Sequence, residues 1–159
     1  MPRIGRKVLL IVALGSIILS ACASIPNVDW ELTISGAVNA PLTISYKELA
    51  KMPQTDLKDI FMDKSTGEDS VGSWSGVVLA DLLSKAGAAE DFVGVTALAA
   101  DGYAIEITRD ELENAIVALK EESEWIQNSD PEHGPIRMVC PKTPANRWVF
   151  QLLEIQVNK

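Results

Sequence analysis

Residues 59–83, DIFMDKSTGEDSVGSWSGVVLADLL, decide how the chain is read. Past Trp74, the apolar side chains Val78, Leu79, Leu82 and Leu83 fall on one helical face, and Gly87 stands where a left-handed residue closes a helix. The spacing predicts a core helix within residues 74–87. Upstream, residues 64–73 are rich in Ser, Gly and acidic side chains and read as a loop. Residues 55–63 read as an edge or half-buried strand, because Asp56, Lys58 and Asp59 break the apolar pattern. The stretch holds no Cys, no His and no Arg, which bears directly on the chemistry it can support.

The 159 residues, 47% of them hydrophobic and 23% charged, suit one domain with a buried core rather than a disordered chain. Residues 1–21 read as an export signal. Arg3, Arg6 and Lys7 precede the 11-residue, largely apolar run 8–18, about half the ~20 residues a membrane-spanning helix needs. Leu19, Ser20, Ala21 and Cys22 then match a bacterial lipobox, predicting diacylglyceryl modification of Cys22 and cleavage before it. Residues 22–29 become the lipidated Cys and tether, and 30–159 the folded domain. The expectation is an exported protein, lipid-anchored at the outer face of the cytoplasmic membrane or at the outer membrane. With the three basic signal residues removed, 11 basic side chains face 22 acidic ones, a formal charge of −11 with the single His neutral. So acidic a surface argues against nucleic acid as a partner.

Along the domain, Trp30, Leu32 and Ile34 alternate with polar residues as a strand, and Leu42 and Ile44 as its antiparallel neighbour. Ser45 and Glu48 form a capping box that starts a short helix at Tyr46, and Met52-Pro53 stops it. Residues 93–98 and Tyr103, Ile105 and Ile107 form a hairpin across Asp101-Gly102. Thr108 and Glu111 suggest a second capped helix, residues 116–119 a buried strand, 136–140 another, and 148–157 a closing strand. The sum is an α+β, mostly β domain of mixed sheets with a few short helices. Cys140 alternates with Ile136 and Met138, which predicts a buried thiol.

Familiar catalytic constellations are absent from the sequence. One His cannot build a zinc cluster, no Gly-x-Ser-x-Gly elbow serves a triad, and no phosphate-cradling glycine loop occurs. Glu121 and Glu122 read as a solvated acidic face. The residues 133–137 with Arg147 and Trp148 remain. Arg137 and Arg147, ten positions apart, are candidates to clamp one anion, with His133 as a further donor. In so acidic a chain a neighbouring carboxylate is an equal candidate to pair with Arg137.

Taken in order, Trp30-Glu31-Leu32-Thr33-Ile34-Ser35-Gly36, Pro41-Leu42-Thr43-Ile44-Ser45-Tyr46 with Glu48-Leu49, Met52-Pro53, Trp74-Ser75-Gly76-Val77 with Leu79 and Asp81-Leu82-Leu83 through Ala86-Gly87, Asp101-Gly102-Tyr103 and Gly134-Pro135-Ile136-Arg137 through Pro141 resemble the molybdopterin-binding domain of the sulfite oxidase family. The resemblance implies that family's mostly β fold and, in active members, a pyranopterin-bound molybdenum performing oxygen-atom transfer or sulfoxide-type reduction. It also places Arg137, Arg147, His133, Tyr103 and Trp74 around the cofactor cleft. Where active members put a molybdenum-ligating Cys, this chain reads Ile60-Phe61-Met62-Asp63, and a thioether is a poor ligand for a high-valent oxo metal. Ala145 replaces a family glycine, and Phe150 and Gln151 replace a lysine-tryptophan pair. No catalytic and no metal-ligating residue is assigned. Two expectations follow: a small-anion or partner-binding module of an envelope redox system, or an active molybdopterin-dependent oxidoreductase.

Overall fold

The computed structural model describes residues 24–159, so the expected export signal and Cys22 lie outside the described residues. Two five-stranded sheets carry the domain. In the first, β1 (Glu31–Gly36) lies between β2 (Leu42–Ser45), its antiparallel neighbour, and the C-terminal β10 (Leu152–Asn158), to which it is parallel with Thr33 opposite Glu154. β5 (Gly94–Ala99) and β6 (Ala104–Thr108) complete that sheet beyond β10. The second sheet is antiparallel: β3 (Thr55–Met62), β4 (Ser70–Val78), β7 (Ile116–Glu121) and β8 (Glu124–Trp125) in order, with β9 (Arg137–Val139) also paired to β7. The sequence-based expectation of mostly β structure in mixed sheets holds.

Local signals account for much of this. The capping box forms as expected: Ser45 Oγ accepts from the Glu48 N–H while the Glu48 carboxylate accepts from the Ser45 N–H, opening α1 (Tyr46–Leu49). Tyr46 and Leu49 are fully buried beneath it. α2 (Leu79–Ala86) buries Leu79, Leu82, Leu83 and Ala86 on one stripe and ends at Gly87, whose φ of 68° gives the left-handed closure. Asp101 Oδ1 accepts from the Tyr103 N–H in the hairpin turn, where Gly102 supplies φ 88°. β3 is an edge strand, and its register slips between Leu57 and Ile60 around Asp59 at φ 53°. Such an irregularity bends a strand and blunts a free edge.

Three expectations need correction. Residues 74–78 do not open the helix; they finish β4, which also takes in Ser70 to Ser73, expected as loop. Glycine and serine read as loop formers, but here Gly72 leaves room for the Trp74 indole and Gly76 lets β4 approach β7. A side chain at either position would remove that space. The closing strand begins only at Leu152. Residues 148–151 run irregularly, with Gln151 at φ 46° and Val149 in an isolated bridge to Met138. The expected second capped helix is a single 3-10 turn, Asp110–Leu112: the Glu111 carboxylate accepts from the Thr108 N–H and hydroxyl, but no side chain caps the backbone of the turn. The short α3 (Ile126–Ser129) carried no distinct sequence signal.

At Gly76 an added Cβ would run into the Val117 carbonyl oxygen and come within 2.6 Å of Ala118 Cα, both backbone atoms. Gly76→Ala is therefore expected to destabilise the domain by about 1–3 kcal/mol, as overpacking does. A urea midpoint unchanged from wild type would show that β4 and β7 do not need this approach.

Candidate functional site

A cleft of about 420 Å³ opens where the end of β3 meets β9 and the turn before β10. Its wall from β3 and the following loop is Met62, Lys64, Ser65 and Thr66; opposite lie Glu121, Asp130, His133 and Arg137, and Ala145, Asn146, Trp148 and Phe150 complete it. That volume falls in the range of small-molecule sites. Trp148 stacks edge-on against the buried Trp74 at 4.9 Å and donates through Nε1 to the Cys140 carbonyl, which fixes the aromatic floor.

Arg137 is the centre of the cleft. Only 5% exposed, it projects from β9 and donates from its two terminal nitrogens to Glu121 and Asp130, each at 3.2 Å, with its guanidinium 4.2 Å from the Phe150 ring centroid. Burial pushes its pKa down, and the Glu121 and Asp130 charges oppose that shift. A guanidinium stays charged in this setting. Asp130 also receives His133 Nδ1 at 2.9 and 3.0 Å. A carboxylate that is paired to Arg137 can only accept, so His133 Nδ1 is the donor in this contact. Among the described residues, Arg137 Nε is buried without a hydrogen-bond partner, as are Trp74 Nε1 beneath Trp148 and Ser70 Oγ on the residue paired with Met62. Two of them are N–H donors lacking an acceptor.

The five residues expected around the cleft divide into two neighbourhoods. His133 and Arg137 line it, and Trp74 lies beneath through Trp148. Arg147 is not among the lining residues. Its guanidinium pairs with the Glu111 carboxylate and donates to the Glu106 carbonyl at 2.8 Å. Tyr103, 42% exposed in the β5–β6 turn, belongs electrostatically with Arg147 rather than with Arg137. Each arginine is paired with carboxylates of its own, Arg137 with Glu121 and Asp130 and Arg147 with Glu111. Glu121, expected on a solvated face, is instead one of Arg137's partners. Lys64, Ser65, Thr66 and Asn146 were missed, since loop residues carry no periodicity and only the fold brings them to the cleft.

Cys140 is fully buried, as its alternation predicts, and burial pushes its thiol up to about 12. It is outside the cleft lining and is protonated at any physiological pH. Among the described residues no group of three or more His, Cys, Asp or Glu side chains is placed to hold a metal ion.

This two-sheet fold with a cleft at one end is that of a molybdopterin-binding oxidoreductase domain. Residues 21–159 match the model of the oxidoreductase molybdopterin binding domain, and the chain belongs to that family. The sulfane dehydrogenase SoxCD of Paracoccus pantotrophus shares the fold with a TM-score of 0.69 at 21% identity, over 81% of this chain and 38% of that one. The NADH nitrate reductase of Volvox carteri is 26% identical over 87% of this chain and 20% of its own length. The uncharacterized oxidoreductase YuiH of Bacillus subtilis is 27% identical over 70% of this chain and 57% of its own. The chain thus spans about a fifth of that nitrate reductase and under two thirds of the bacterial relative.

The Arg147 bridge has a pH signature. The Arg147 hydrogen bond, then bonds from the Thr108 backbone and side chain, lower the Glu111 pKa from 4.5 to about 2. A depressed carboxylate pKa adds stability that is complete above the unfolded value and disappears as pH falls through the folded one. Wild type should therefore exceed Glu111→Gln in stability at pH 6, and the gap should close between pH 4.5 and about 2. Urea midpoints compared at pH 6, 4 and 2.5 test this; a gap constant over that range would remove the ion pair as its source.

Proposed function

We propose that this chain is an exported, lipid-anchored member of the family that works as a binding module for a small anion, and not as an enzyme with thiolate-ligated molybdenum. The observation that carries this is the donor set of the cleft. Met62 supplies a neutral thioether where the family resemblance calls for a thiolate, and the one described Cys is a buried, protonated thiol on another element. Thioether, imidazole and carboxylates do not replace that thiolate on a high-valent oxo metal. The residues present therefore do not fit a molybdenum centre held by a protein thiolate. Arg137, a candidate for an anionic cofactor group, is already balanced by Glu121 and Asp130.

The anion reading rests on what the cleft still offers. Lys64, Ser65, Thr66 and Asn146 bring donors to the cleft around an apolar floor of Met62, Trp148 and Phe150. A few polar groups over an apolar base suit a small ligand. A partner protein of an envelope redox system is the expected user of that ligand.

Protein purified from its own host, under conditions in which related enzymes load cofactor, should contain neither molybdenum nor a pterin fluorophore in stoichiometric amount. About one molybdenum per chain would instead establish the rival, an active molybdopterin-dependent oxidoreductase. The anchor has a separate test. Radiolabelled palmitate should mark the wild-type chain and leave Cys22→Ser unlabelled; equal labelling of both would remove lipidation at Cys22.

A further inference from the structure

The tether reaches the fold with little slack. Pro26 and Val28 are already half-buried, with Val28 packed against the core, while Ile25 before them is exposed. Cys22 precedes Pro26 by four positions, and four residues of extended chain span at most ~14 Å. A lipid on Cys22 therefore holds the domain close to the bilayer.

The tether also enters at one defined end. Trp30 Nε1 donates to the Leu152 carbonyl at 2.8 Å, so the chain meets β10 at its first residue. Leu152 is paired with Ala99, whose N–H donates to the Tyr103 carbonyl, and the Ala100 N–H donates to the Gln151 carbonyl. The β5–β6 turn and the turn before β10 thus share this end with the tether. Tyr103, Phe150 and Leu153 are exposed there and Ile25 on the tether itself, four of the seven large apolar side chains exposed among the described residues. Val93 lies at the opposite end: its N–H donates to the carbonyl of Asn158, the last residue of β10, ~20 Å along that strand.

We infer that the end of the domain carrying Tyr103, Phe150 and Leu153 lies on the lipid bilayer that holds the anchor, so that the cleft opens beside the membrane surface. The inference rests on the lipid-anchor reading above. Acyl chains supply the main affinity, and apolar side chains that reach the interface add to it and fix the orientation. Aromatic rings are well placed at headgroup level, and Tyr103 offers both an apolar ring and a polar hydroxyl there. Asp29, Glu31 and Glu154 border the hollow beside Leu153, so this face is held by apolar contact and not by attraction to anionic headgroups. Phe150 joins the two surfaces. It lines the cleft, and the next residue, Gln151, donates its N–H to the His133 carbonyl on the cleft wall.

The test places a reporter at each end of the full lipidated chain. Tyr103→Cys, Leu153→Cys and, at the opposite end, Val93→Cys are each labelled with a nitrobenzoxadiazole fluorophore and reconstituted into phosphatidylcholine vesicles. Cys140 is fully buried and Cys22 is acylated, so the new, exposed thiol takes the label. The probes at positions 103 and 153 should shift to the blue on reconstitution and lose intensity when doxyl-labelled phosphatidylcholine is included, whereas the probe at 93 should keep its aqueous spectrum and its intensity. An equal response at all three positions, or none at 103 and 153, in chain that floats with the vesicles overturns the orientation and leaves the anchor standing. A blue shift at 103 and 153 that doxyl lipid does not quench puts protein, such as a second copy of the chain, on this face and overturns it as well. Failure of the wild-type chain to float with the vesicles overturns anchor and orientation together.

Discussion

A guanidinium that is taken out of water must be given counter-charge, because an isolated buried ion costs several kcal/mol. Arg137 imposes that requirement on three elements at once. β9 carries it, β7 must present Glu121 at its end, and the loop after α3 must bring Asp130 back to the same point. Pairing of β9 with β7 places Arg137 opposite Ala118, and the extra residue of β7 between Ala118 and Lys120 shifts the alternation so that Glu121, three residues on, can share that face. Phe150 covers the remaining face and ties in the turn before β10. The cleft is the space these constraints leave open.

The same economy of charge explains why the second arginine stays away. Among the described arginines, Arg137 and Arg147 are paired with carboxylates, whereas Arg109 donates to the Glu90 and Phe92 carbonyls. Arg147 is held by Glu111 and the Glu106 carbonyl, which pins the 3-10 turn Ala145–Arg147 against β6. Among the residues lining the cleft, the charges of Lys64 and Arg137 stand against those of Glu121 and Asp130.

Strand and helix positions were legible where local chemistry is decisive. Ser45 with Glu48, Gly87 and Asp101-Gly102 each demand one backbone conformation, and each adopts it. Residues 70–78 were misread for a physical reason: Gly72 and Gly76 look like loop formers, yet they are small because an indole and a neighbouring strand occupy their space. Contacts of that kind are tertiary and leave no local pattern. The site was legible in part. His133 and Arg137 stood out by type and spacing, whereas Lys64, Ser65, Thr66 and Asn146 reach the cleft only through the crossing of loops.

By itself the sequence determined the β-rich architecture, the buried thiol of Cys140 and the absence of a Cys in residues 59–83, since periodicity, caps and composition are written residue by residue. Which charges cancel was decided only by the tertiary structure. Glu121, Asp130 and Arg137 are separated by up to 16 positions, and Arg147 and Glu111 by 36. Electrostatic energy depends on distance and burial in space, and those are set by how the sheets pack.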